Sequence, residues 1–141
     1  MEITELKTLT EAQAADILQL MKELNADIPV TAEGIRQAVE SPGTHFFALL
    51  DGSRIVGCAS LCVCLSPTGP KAHLEDVVVL SSYRGRQLGR QLVTHVVDFA
   101  RHHLSGTDLY LTSRPSRVAA NALYQSLGFQ PKTTNVYKMT V

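Results

Sequence analysis

The chain has 141 residues, 45% of them hydrophobic and 18% charged, and its 13 basic and 13 acidic side chains give a formal net charge of zero. That length suits one domain, residues 1–141, with a single substantial core. The balanced charge provides no global field toward nucleic acid or an acidic membrane, and neither is expected as a partner. No run approaches the roughly 18 apolar residues of a membrane span, and the start, Met-Glu-Ile-Thr-Glu-Leu, lacks the basic and apolar stretch of a signal peptide. Cys58, Cys62 and Cys64 are odd in number and lie in one apolar segment. They read as buried, reduced thiols and not as metal ligands, because no Cys-x-x-Cys pair or suitably spaced His accompanies them. A cytoplasmic protein without a metal is expected.

Ile3 to Leu9 alternates apolar and polar residues, as a half-buried strand does. Thr10 is placed to cap a helix carrying Ala14, Ile17, Leu18, Met21 and Leu24 on one stripe. After Pro29, Thr31 is placed to cap a shorter helix through Ile35, Ala38 and Val39, which Ser41-Pro42-Gly43 ends. His45–Leu50 and Arg54–Leu65 are β-rich and joined by Asp51-Gly52-Ser53, a hairpin signal. A turn over Ser66–Pro70 leads to a strand from Ala72 to Leu80. A third helix follows over Gln87–His103, with Leu88, Leu92, Val96, Phe99 and Ala100 on one face. Asp108–Thr112 reads as a strand. A helix after Pro115 stops at Gly128, and a last strand spans Asn135–Met139. The hairpins make the middle of the sheet antiparallel, while the third helix is a crossover that makes the fourth and fifth strands parallel neighbours. The fold class is α+β, a mixed sheet with one parallel βαβ step.

The segment with most chemistry is Val77-Val78-Val79-Leu80-Ser81-Ser82-Tyr83-Arg84-Gly85-Arg86-Gln87-Leu88-Gly89-Arg90. A strand that feeds a Gly- and Arg-bearing turn and then a helix builds an anion site from the free N–H groups of the helix's first turn. The anion expected is the pyrophosphate of a cofactor. No P-loop or Gly-x-Gly-x-x-Gly pattern competes with it. Upstream, Glu75 and Asp76 sit side by side on a strand, so regular alternation sends them to opposite faces. Glu75 is the candidate general base, raised toward neutrality by partial burial. Asp76 is the alternative base or a substrate-orienting group. Arg114 reads either as a solvated loop residue or as a fork for a substrate carboxylate or phosphate. His45 and His73 are structural or line an acceptor pocket, and His102-His103 suit a helix C-terminus.

His73-Leu74-Glu75-Asp76-Val77-Val78-Val79, Tyr83-Arg84-Gly85-Arg86-Gln87-Leu88-Gly89-Arg90 and Ala122-Leu123-Tyr124-Gln125-Ser126-Leu127-Gly128-Phe129 together resemble the GNAT (Gcn5-related) N-acetyltransferase family. The resemblance is clearest from His73 to Phe129. It implies the GNAT acyl-CoA N-acyltransferase fold, with splayed parallel strands 4 and 5 and four helices. It also implies transfer of acetyl from acetyl-CoA to a primary amine by direct attack through a tetrahedral intermediate. Arg84 and Gly89 are the ends of a segment similar to the family's acetyl-CoA motif, whose middle glycine is Gln87 here. Glutamine still offers its backbone N–H there, given an ordinary φ at a helix start.

The same resemblance implies that the backbones of Val77, Val78 and Val79 pair with the pantetheine arm. N–H groups of Gly85, Arg86, Gln87, Leu88, Gly89 and Arg90, with the Arg84 and Arg86 side chains, hold the pyrophosphate. A backbone N–H near Val77 stabilises the oxyanion, and the Tyr124 hydroxyl meets the leaving thiolate. An asparagine usual in the family is Arg117 here, and Asn121 is the candidate to replace its contact. Likeness to the family's glucosamine-phosphate acetyltransferases favours a small-molecule amine. A non-catalytic CoA-binding module and a protein N-terminal or lysine acetyltransferase are the alternatives. A homodimer is among the assemblies that the family displays.

Overall fold

The computed structural model describes residues 1–141 and contains two compact units, Met1–Leu111 and Thr112–Val141. The first holds β1 (Glu2–Leu6), α1 (Glu11–Leu24), α2 (Ala32–Glu40), β2 (Thr44–Asp51), β3 (Arg54–Ser66), β4 (Gly69–Val79), a 3-10 turn (Ser81–Tyr83), α3 (Leu88–His103) and β5 (Asp108–Tyr110). The second holds α4 (Val118–Ser126). The strands lie in the order β1-β2-β3-β4-β5, antiparallel except for the parallel β4–β5 pair. This is the mixed α+β architecture that the connections dictate.

Local chemistry explains the boundaries. Thr10 closes a full capping box, its hydroxyl accepting from the Gln13 N–H while the Gln13 side chain accepts from the Thr10 N–H. Thr31 caps α2 by accepting from the Gly34 N–H at 3.0 Å. The expected stripe of α1 is shifted: Ala14, Ile17 and Leu20 are buried, with Leu18, Met21 and Leu24 packed at its margin. In the hairpin between β2 and β3, Gly52 takes φ +60°, which its missing Cβ permits.

The two faces of the sheet differ. On one, Phe47, Ala59, Leu61 and Leu74 are buried, and α3 covers them with Leu92, Val93 and Val96. Phe47 meets Phe99 and His95 of α3 edge-on, with ring centroids 5.1 and 5.4 Å apart. His45 belongs to this face as well. It lies against Phe99 and its Nδ1 pairs with Glu5 Oε1 at 2.7 Å, so it is a structural histidine. On the other face, Phe46, Ala48, Cys58 and Val78 pack with Ile17, Leu20, Ile35 and Val39 of α1 and α2.

Two expected strands differ from the structure. β5 stops at Tyr110, not Thr112, and no strand forms over 135–139, so the sheet has five strands and not six. A segment of strand-forming residues makes a strand only when a partner backbone takes its hydrogen bonds. Residues 130–141 are all exposed and in no ladder.

Candidate functional site

β4 carries the candidate site in the first unit, and its geometry is irregular where the sequence promised regularity. Its register with β3 passes from Ser60↔Glu75 to Cys58↔Val78, so Asp76 and Val77 stand opposite the one residue Ala59. This is a β-bulge, and Asp76 adopts φ +52° within it. Glu75 pairs with Ser60 and Asp76 lies opposite Ala59, so the break in alternation falls between Asp76 and Val77, not between the two carboxylates. The extra residue resets the alternation, and Glu75 and Val78 share the face that α1 and α2 partly cover. Glu75 is exposed, so the partial burial expected of it is not found; Asp76 is exposed as a residue, yet desolvation pushes its carboxyl up from the ordinary aspartate range. The Asp76 carbonyl accepts from the Cys58 Sγ at 3.8 Å.

The ladder between β4 and β5 covers only Lys71↔Asp108, Ala72↔Leu109 and His73↔Tyr110. From Leu74 to Val79, β4 continues with no strand partner on that side. The parallel pairing thus ends at His73, leaving Val77, Val78 and Val79 beyond the last rung. On this strand Val78 is buried, and Val77 and Val79 are half-buried.

The anion turn follows. Gly85 takes φ +77° and Gln87 φ +57°, and Gln87 is the N-cap of α3 without a side-chain cap bond. An ordinary φ at Gln87 is therefore not what the chain adopts. The polypeptide reverses sharply between Arg84 and Leu88 and uses two left-handed residues to do so, one of which pays the Cβ penalty. The first α-helical bond runs from Gln91 N to Gln87 O at 3.1 Å, so the Leu88 and Gly89 N–H groups have no helical carbonyl to donate to. A Cβ at Gly89 would meet nothing within 4 Å, which marks open space beside the helix start. Arg84, Arg86 and Arg90 are exposed, and the Arg86 guanidinium lies 5.3 Å from the Tyr83 ring centre.

The second unit carries the other candidates. Tyr124 is buried in α4 and meets Phe129 edge-on at 6.0 Å, and burial pushes its hydroxyl pKa up, opposed by Arg117. The hydroxyl is thereby held as a neutral phenol. Asn121 uses its Nδ2 to donate to the Arg114 carbonyl at 3.0 Å, tying down the loop before α4. Arg114 itself is exposed. Gly128 at φ +100° ends α4 as expected, with Phe129 N bonded back to Tyr124 O.

On the face of Glu75, the strand register aligns Thr44, Cys62, His73 and Tyr110 across β2 to β5. His73 and Tyr110 stack, with centroids 5.6 Å apart and planes at 26°. Tyr110 was not singled out in the sequence, where the signal is only its place in a short alternating segment. The three cysteines are free, but only Cys58 is buried, whereas Cys62 is half-buried and Cys64 exposed. The expected common burial fails because β3 runs past its covered centre toward the hairpin. Burial pushes the Cys58 and Cys62 thiols up. No group of three or more His, Cys, Asp or Glu is placed to hold a metal ion, and no helix is long and apolar enough to cross a membrane.

Residues 12–129 match the sequence model of the acetyltransferase (GNAT) family. The N-alpha-acetyltransferase RimI of Mycobacterium tuberculosis is 34% identical over 124 residues, which cover 86% of this chain and 75% of that protein. The glucosamine 6-phosphate N-acetyltransferase of Trypanosoma brucei brucei is 30% identical over 134 residues, covering 89% and 88% of the two chains. The crystal structure of glucosamine-6-phosphate N-acetyltransferase from Arabidopsis thaliana superimposes with a TM-score of 0.75 at 21% identity, over 98% of this chain and 97% of that one, a likeness of fold.

Proposed function

We infer the activity from one premise: this chain belongs to the acetyltransferase (GNAT) family. Its reaction is then acetyl transfer from acetyl-CoA to the primary amine of a small molecule, by one domain spanning 1–141 and working in the cytoplasm. The observation that carries this reading is the arrangement along β4 and into α3. An exposed carboxylate, Glu75, is followed by a strand segment without a partner and then by a helix start whose Leu88 and Gly89 N–H groups are unused.

Acetyl-CoA supplies an activated thioester when bound. Leu88 and Gly89 N–H groups, the turn around Gly85 and Gln87, and the Arg84, Arg86 and Arg90 charges suit its pyrophosphate. The unpaired edge of Val77–Val79 suits the amide-bearing arm as an added strand would. Glu75 takes the ammonium proton, directly or through a water, and makes the amine nucleophilic. The Val77 N–H faces charge developing on the thioester oxygen. Tyr124 gives its proton to the leaving thiolate. Asp76 and Arg114 orient the acceptor, and Asn121 adds to cofactor binding beyond its own loop contact. A peptide N-terminus is the second acceptor reading, favoured by the 34% identity to RimI.

Thiol release over a panel of amines and peptide N-termini, run beside CoA calorimetry, tests the reading. Turnover on one class with micromolar cofactor binding is the expected result. Tight CoA binding without turnover on any acceptor would make the chain a binding module.

A further inference from the structure

We propose that the β3–β4 hairpin holds an oxyanion subsite for the acceptor, built by Ser66, Thr68 and Lys71. The inference rests on the reading of Glu75 as the group that receives the acceptor's amine. Lys71 Nζ donates to Ser66 Oγ and to Thr68 Oγ1, each at 2.7 Å, and the two hydroxyls are 3.0 Å apart. Three polar atoms thus form a small triangle at the hairpin tip. An ammonium has three donors, and two are spent on these hydroxyls. The third remains; Ser66 Oγ donates to the Gly69 carbonyl at 3.3 Å, so the contact between the two hydroxyls uses the Thr68 proton and Lys71 is the donor left for an anion. Neutral hydroxyls leave the Lys71 charge uncompensated. Asp108 stands opposite on β5 but forms no ion pair with it.

The position of the triangle gives it meaning. Lys71, His73 and Glu75 alternate onto one face of β4, before the bulge resets the strand. They form a row that is positive at the hairpin end and negative at the Glu75–Asp76 end, with the His73–Tyr110 stack between. A ligand with an amine at one end and an anion at the other fits that row in one direction only. Four residues of strand separate the charges by roughly 13 Å. The subsite therefore selects an elongated primary amine with a carboxylate or phosphate on the order of 10 Å from its nitrogen. A compact amino sugar phosphate is too short to reach both ends.

Acetyl transfer to four synthetic acceptors tests this: Ala-Ala-Ala-Asp amide, its phosphoserine counterpart, the neutral Ala-Ala-Ala-Asn amide, and glucosamine 6-phosphate as the short-span anion. The expected result is kcat/KM for the Asp and phosphoserine peptides at least about tenfold above the Asn peptide, through KM. The ratio of the Asp to the phosphoserine arm tells which oxyanion the site prefers. Lys71→Met abolishes the advantage and leaves the Asn peptide unchanged, and Thr68→Val weakens it in the same sense. Equal rates on charged and neutral peptides would overturn the subsite while leaving the enzyme reading intact. So would an equal loss on all acceptors in Lys71→Met, which marks a hairpin brace, or a preference for glucosamine 6-phosphate that survives Lys71→Met. No turnover on any of the four, with none on a wider amine panel, would instead remove the acetyltransferase reading.

Discussion

The two faces of this sheet were made from one alternating pattern, yet one is closed and the other is half open. Beneath α3 the strand residues are apolar, and the rings of Phe47 and Phe99 fill the middle. Opposite, α1 and α2 cover Phe46, Ala48, Cys58 and Val78, but beyond Ser60 the face turns polar and carries Thr44, Cys62, His73 and Glu75. A closed face gains stability from every apolar atom it removes from water. An open one gives up that gain in order to leave a carboxylate and an imidazole where a ligand can reach them. Substitutions should therefore separate into those that unfold the protein and those that silence it.

The largest separation is expected at the closed face. Phe47→Ala removes a ring that is 1% exposed and should cost about 3–5 kcal/mol, read as the loss of denaturation midpoint. A loss below 1 kcal/mol would mean that the α3 face is not the core. Next comes Glu75→Gln on the open face, where turnover should fall on the order of 100-fold while the melting temperature hardly moves. Parallel loss of both quantities would erase the distinction between the faces.

A smaller effect is expected at Gln87. Replacement by Gly removes a left-handed strain at the expense of chain entropy, for a net gain of about 0.5–1 kcal/mol. Acetyl-CoA affinity should be retained, because backbone donors carry it; a large loss would transfer that role to the glutamine amide. Gln87→Val should destabilise, since a β-branched residue tolerates that φ least.

The smallest effect concerns pH. Desolvation raises the Asp76 carboxyl above its ordinary 3.8, so the fold disfavours the charged form. The penalty is absent below the ordinary value and develops as pH rises through the raised one. Asp76→Asn also suits the left-handed backbone. It should match the parent protein in acid and exceed it in thermal midpoint at neutral pH. A gain that is independent of pH would assign the effect to the backbone instead of the charge.

Much of this was legible in the chain. Helix starts at Thr10 and Thr31 follow from side chains that bond their own first turns, and the parallel step follows from a helix placed between two strands. The anion turn is visible because glycine and arginine stand directly before an amphipathic helix. What stayed hidden belongs to pairs of segments. The bulge at Asp76 is a mismatch between β3 and β4, and neither strand shows it alone. The positive φ of Gln87 is imposed by the direction in which α3 must leave. Tyr110 gains importance only through its place opposite His73. The tail over 135–139 has strand-forming residues in Val136 and Tyr137, but no strand forms where no ladder takes up its backbone.

The bulge has a consequence for insertions and deletions. A regular strand has one parity, and losing a residue from its end merely shortens it. β4 has two parities, joined at Asp76 and Val77. Deleting one of the two would leave Glu75 and Val78 two residues apart in a regular strand, so Lys71, His73 and Glu75 would still share a face with Val78 and Leu80. Straightening the strand without a deletion would swing Val78 and Leu80 away from α1 and α2. The strand can thus shed a residue at this joint without exchanging its greasy and wet faces.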